Sequence, residues 1–230
     1  MRGGLAAASG TVRSGLWLRS LAAVAALACI ATGPAGAAGV TTETPKLFGS
    51  TEIRSGNLSK FEKWTEVLGR YAKEEPGELQ KCAPTQFNPC NTARWRIFLY
   101  SLKDLPKRQQ LDSVNAYLNK WMYIIDQVNW GKSDYWATPG QFLAKNGDCE
   151  DYAIAKYVSL VHLGFDKSQL RIVVLNDLNL KVPHAILAVY LDGEVFILDN
   201  QIVQVVLADR IKHYKPIYSI NEGSWWLHRS

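Results

Sequence analysis

Apolar and polar positions change their period once along the chain, from helical to strand-like. In the first half, Phe61, Trp64, Val67, Leu68 and Tyr71 fall on one face of a helix predicted over residues 58–74, which Pro76-Gly77 ends. Further helices are predicted over 92–102 and 107–127, the second carrying Leu111, Val114, Leu118, Trp121, Tyr123, Ile124 and Ile125 in an apolar band. Residues 129–140 are aromatic and turn-rich, which predicts a loop. Asn146-Gly147-Asp148 forms a turn into a helix over 149–163, stopped by Gly164. Beyond it the apolar runs become short and β-branched, predicting strands over 170–175, 185–191 and 194–198. Asp192-Gly193 between the last two is a two-residue hairpin signal. Residues 203–206 and 217–220 add shorter strands. Helices first and strands later predict an α+β fold with an antiparallel sheet packed on helices.

Composition changes this picture mainly at the N-terminus. Arg2, Arg13 and Arg19 precede the first acid, Glu43, and residues 21–30 are uninterruptedly apolar. Small residues follow at Ala35-Gly36-Ala37-Ala38. A basic start, a short apolar run and an A-x-A site predict a secretory signal peptide over 1–37, too short in its apolar part for a membrane span. Its removal takes three arginines with it, so the formal charge of +5 falls to +2. No basic run then remains to predict nucleic-acid binding, and no stable membrane insertion of the mature chain is expected. Residues 38–56 read as a flexible lead-in, 57–222 as one domain and 223–230 as a C-terminal tail. Export implies an oxidising compartment. Cys82 and Cys90 close a short loop that a disulfide can bridge if the geometry allows, and Cys149 is left over.

The leftover thiol stands where catalysis can use it. A cysteine attacks as a thiolate, and the first turn of a helix favours negative charge through its free N–H groups. His184 opens one strand of the predicted hairpin and Asp199 ends the other. Counting outward from Asp192-Gly193 brings the two ends side by side, as a nucleophile's base and its orienting carboxylate require. Cys149, His184 and Asp199 are therefore the candidate catalytic residues. Asp148, Glu150 and Asp151 crowd the nucleophile with carboxylates that oppose a thiolate. Two readings of them stand: helix capping, or oxygen ligands for a hard cation such as calcium. Gln141 and Asn146 are candidate second oxyanion donors, and Trp130, Tyr135 and Trp136 are candidate walls of a substrate cleft.

The run from Asn146 to Lys156, with Asp148-Cys149-Glu150-Asp151 at its centre, resembles the nucleophile segment of bacterial transglutaminase-like cysteine proteinases. Pro183-His184-Ala185 and Ile197-Leu198-Asp199-Asn200 resemble their histidine and aspartate segments. The resemblance implies a papain/transglutaminase-like fold and a Cys149–His184–Asp199 endopeptidase of the periplasm. It also implies calcium held by Asp148 and Glu150, with Asp151 a further ligand. The implied substrate is a large surface adhesin, cut near its N-terminal retention module at a paired-alanine site to release a biofilm. The implied partner is an inner-membrane receptor that sequesters the protease when cyclic di-GMP is high. A transglutaminase-type acyl transferase and a non-catalytic calcium-binding module are the competing readings of the same residues.

Overall fold

A computed structural model describes residues 45–74 and 89–229. The predicted signal peptide and Cys82, and with it the Cys82–Cys90 pairing, lie outside the described residues. Cys149 is a free cysteine. No helix among the described residues is long and apolar enough to cross a membrane.

Among the described residues, six α-helices run α1 (Glu62–Tyr71), α2 (Pro89–Leu102), α3 (Lys107–Leu118), α4 (Asp126–Asn129), α5 (Pro139–Lys145) and α6 (Cys149–His162). Among the same residues, seven strands run β1 (Thr51–Ser55), β2 (Leu170–Asp177), β3 (Val182–Leu191), β4 (Glu194–Leu198), β5 (Val206–Leu207), β6 (Tyr214–Ile220) and β7 (Trp225–Arg229). The strands form one sheet in the order β1-β7-β6-β2-β3-β4-β5. Every neighbouring pair is antiparallel. This is the expected α+β architecture.

Helix α6 is the pivot of the core. Its residues 151–160 are all buried, so it lies inside the molecule rather than on its surface. On one face of the sheet Leu170, Ile172, Leu187 and Val189 pack with Trp64, Trp95, Tyr157 and Leu160 from the helices. On the other face Val173, Leu175, Ile186 and Ile197 pack beneath Leu47, Ile211 and Tyr214. Each fully buried side chain of this size contributes about 1.5–3 kcal/mol relative to exposure.

Four expectations need correction. The helix over 107–127 stops at Leu118, where Asn119 caps it. Beyond it Tyr123 forms a parallel bridge with Gly147, and the Ile124 N–H donates to the Gly147 carbonyl at 2.9 Å, so tertiary pairing overrides helix continuation. The loop over 129–140 runs two residues into α5, which Pro139 starts and Thr138 and Gln141 cap reciprocally. The lead-in over 38–56 contains β1, and the tail over 223–230 contains β7. These strands pair with each other, Thr51 opposite Arg229 through Ser55 opposite Trp225, and so belong to the sheet. Asp192 and Gly193 both have positive φ, 52° and 80°, the conformation that a tight two-residue hairpin needs.

Candidate active site

The candidate nucleophile is built from a forced turn. α5 ends at Asn146, whose left-handed φ of 68° turns the chain into Gly147. A Cβ at Gly147 would collide with the Asp151 side chain, so only glycine lets the chain pass here. Asp148 then caps α6, placing Cys149 at its first helical position. Cys149 is partly exposed.

His184 and Asp199 come from the β3–β4 hairpin. The register pairs Leu187 with Leu198 and Leu191 with Glu194, so Asp199 reaches His184 diagonally across the strands. His184 Nε2 and Asp199 Oδ1 are 2.9 Å apart, both residues buried. An ionised carboxylate only accepts, so Nε2 carries the proton and Nδ1 is left as the basic nitrogen. Three further donors hold Asp199 in place. Tyr214 Oη donates to Oδ2 at 2.6 Å, the Gln201 amide to Oδ1 at 2.8 Å, and Asn119 Nδ2 to its carbonyl at 2.8 Å. Burial would raise the Asp199 pKa, but the His184 and Tyr214 hydrogen bonds outweigh it and hold the carboxyl below its usual range. The backbone N–H of Ala185, next to His184, lies near enough to the Cys149 sulfur to offset a little of the rise that burial and Glu150 cause in its pKa. The helix start is thus a neighbour of the hairpin end.

The acids beside the thiol divide into two kinds. Asp151 is fully buried and committed to the backbone: it accepts from the Ala137 amide at 2.6 Å and from the Asp148 amide at 3.4 Å. It acts as an internal brace for the turn and is not among the gathered ligand atoms. Asp126, Asp148 and Glu150 instead bring one carboxylate oxygen each within 4.8 Å of one another. Asp126 takes the place that sequence reasoning gave to Asp151. Its own Oδ2 accepts from the Tyr135 amide, while its amide donates to Asp148 Oδ2 at 3.3 Å. Oδ1 of Asp126 and Oδ1 of Asp148 are buried with no hydrogen-bond partner.

Three clustered carboxylates cannot all ionise cheaply. Burial first, and the neighbouring acids with it, push Asp126 up to about 6 and Glu150 up to about 8. Burial and then Glu150 also push the Cys149 thiol well up, and its Sγ lies 3.2 Å from Glu150 Oε2. The orphaned oxygens, all hard donors, fit a divalent cation of the calcium type, which takes six to eight oxygen ligands. Backbone carbonyls or water would complete the shell.

The remaining candidates have other duties. Gln141 Oε1 accepts from Arg70 at 2.7 Å and from the Thr138 amide at 3.0 Å, and its Nε2 donates to Tyr135 at 3.0 Å. Asn146 Oδ1 accepts from the Met122 amide at 3.0 Å. Trp136 is buried against Trp64, and Tyr135 packs on Trp130 and under Arg70. Sequence reasoning missed Asp126, Tyr214 and Gln201, none of which lies at a diagnostic spacing from the nucleophile.

The sequence model described as bacterial transglutaminase-like cysteine proteinase, BTLCP, matches residues 77–227. The solved structure of Legionella pneumophila LapG is 30% identical over 71% of this chain and 86% of that chain, with a TM-score of 0.56. The calcium-bound form of that protein gives a TM-score of 0.57 at the same identity and coverage. Its EGTA-treated form matches at 30% identity and a TM-score of 0.57 over 72% of this chain and 86% of that chain. No curated protein matches.

Proposed function

The chain belongs to the bacterial transglutaminase-like cysteine proteinases and has their fold, and we propose that this cysteine protease is a calcium-dependent endopeptidase of the periplasm that cuts the N-terminal region of a large surface adhesin. The observation that carries the calcium reading is the pair of buried, unpartnered carboxylate oxygens on Asp126 and Asp148 beside the nucleophile. Calcium-bound and EGTA-treated structures of a relative agree with it.

In the proposed reaction, His184 Nδ1 takes the thiol proton and the Cys149 thiolate attacks the scissile carbonyl carbon. The free backbone N–H of Cys149, at the first helical position, donates to the developing oxyanion. Asp199 holds the imidazole in its tautomer and stabilises the imidazolium, with Tyr214 keeping the carboxylate ionised and oriented. His184 then protonates the leaving amine, the C–N bond breaks, and water activated by His184 clears the acyl-enzyme. Asp126, Asp148 and Glu150 would hold the cation. Bound there, calcium supplies the positive charge that the thiolate otherwise lacks.

By the same reading, the leader exports the protein, adhesin cleavage frees a biofilm, and a cyclic di-GMP receptor of the inner membrane is the partner. The test incubates mature protein with an N-terminal adhesin fragment from the same organism in calcium, in chelator, and as Cys149→Ala. Discrete new N-termini in the calcium arm alone are expected. Cleavage that survives chelation would remove calcium from the account. Incorporation of an added amine in place of hydrolysis would replace it with acyl transfer.

A further inference from the structure

The strand that delivers His184 continues past the active site. Along β3 the side chains are buried from His184 to Val189, where α6 covers the sheet, while Val182 and Pro183 are exposed. Helix α6 begins at Cys149, and the stretch of β3 before His184 lies beyond the part that the core covers. This stretch belongs to the β2–β3 hairpin, where exposed apolar side chains alternate with the exposed Asn179 and Lys181. Leu178 is 53% exposed, Leu180 59% and Val182 43%.

This tip is also held rigidly. Asp177, itself buried, accepts from the amides of Asn179 and Leu180 on Oδ1 at 2.8 and 3.1 Å. Its carbonyl accepts from the Lys181 amide at 2.8 Å, and the Leu178 amide donates to the His213 carbonyl at 2.9 Å. Exposed apolar side chains on a braced turn are presented at low entropic cost, as a recognition surface requires.

Its side of the cleft follows from the chemistry. His184 protonates the leaving amine, so the peptide C-terminal to the scissile bond departs past the histidine. The acyl half lies on the Cys149 side, where the exposed Tyr123 bridges to Gly147, two residues before the thiol. Val182 is two residues from His184, about 7 Å along a strand, and an extended peptide covers about 10 Å in three residues. The first three leaving-side residues therefore reach the hairpin.

We propose that Leu178, Leu180 and Val182 form the leaving-side wall of the substrate groove and select apolar residues within three positions C-terminal to the scissile bond. The inference rests on the proteolytic reading above and deepens it. The test offers the full mature chain in calcium a library of quenched fluorescent peptides, built on the cleaved adhesin sequence and randomised on both sides of the bond. Wild type is compared with Leu180→Lys/Val182→Lys, both exposed positions. Wild type is expected to prefer apolar leaving-side residues, and the variant to lose about tenfold on these while gaining on acidic ones. Identical leaving-side preferences in the two proteins, or a shift confined to the acyl side, would overturn the wall. Failure of wild type to cleave any peptide, or the adhesin fragment itself, would instead sink the proteolytic reading.

Discussion

Two charge clusters, one on the sheet and one at the start of α6, differ in what the described residues set against them. At the β1–β7 edge, Arg171 reaches Glu52 at 2.6 Å while its guanidinium lies between the rings of Trp226, at 3.7 Å, and Tyr190, at 4.3 Å. Beside them His228 is bracketed by Ser50 at 2.7 Å and Ser219 at 2.9 Å. Beside Cys149, by contrast, Asp126, Asp148 and Glu150 converge, and Oδ1 of Asp126 and of Asp148 are buried without a hydrogen-bond partner. A pair of opposite charges with aromatic flanks balances itself, although Arg171 Nε is buried without a hydrogen-bond partner. A triplet of carboxylates against a candidate nucleophile costs stability and reactivity until something positive joins it. The difference separates a clasp that holds the sheet from a candidate binding site.

The largest expected effect lies at the working cluster. Cys149→Ala should lower peptide hydrolysis by about 10,000-fold or more, with the thermal midpoint nearly unchanged, because the side chain is small and at the rim. At the clasp the signs reverse. Arg171→Ala should destabilise the fold by about 4 kcal/mol, since it leaves Glu52 buried without a counter-charge, yet turnover per folded molecule should hold. Denaturant unfolding and active-site titration together would check both halves.

Lys156 extends the comparison to a lone cation. It is fully buried on α6 with no hydrogen-bond partner, and burial lowers its pKa to about 7 against a smaller opposing pull from Asp199. Below pH 7 the folded state bears the whole cost of the buried ammonium. Between pH 7 and the unfolded value near 10.4, the unfolded chain binds more protons, so stability rises with pH. Lys156→Met should therefore stabilise by about 3 kcal/mol at pH 6 and progressively less toward pH 10, read from urea midpoints at several pH values. An equal gain at both ends would remove the buried charge from the explanation.

The smallest effect concerns the cation itself. Free calcium at a hundred times its dissociation constant should stabilise the folded protein by about 2.7 kcal/mol through mass action, visible as a rise in Tm. Asp126→Asn should shrink that rise, whereas Asp209→Asn, an exposed acid far along the chain, should leave it intact.

How much of this was legible in the sequence depends on the distance between partners. The Asp192-Gly193 turn gave the hairpin, and with it the approach of His184 to Asp199, because a two-residue loop sets register locally. The helix start at Cys149 was equally local. The bracing role of Asp151 had a local signal: an acid three residues after an Asp N-cap is the spacing of a capping box, one of the two readings of these acids. Asp126 carried no such signal. It stands 22 residues before Asp148 and arrives only because Tyr123 pairs with Gly147 and breaks the expected helix. β1 and β7 were missed for the same reason, since Thr51 and Arg229 pair across nearly the whole domain. β7 does have a hairpin partner, β6, across the turn over 221–224, whereas β1 pairs with β7 alone and has no local partner.

The most direct test of the central claim needs no substrate. The rate of Cys149 alkylation by iodoacetamide, followed by intact mass, can be measured in calcium and in chelator at one neutral pH. A cation held by Asp126, Asp148 and Glu150 should accelerate alkylation, the increase should saturate together with the calcium-dependent rise in Tm, and Asp126→Asn should abolish it. Equal rates with and without calcium in the wild-type protein would contradict the coupling between the acid cluster and the nucleophile.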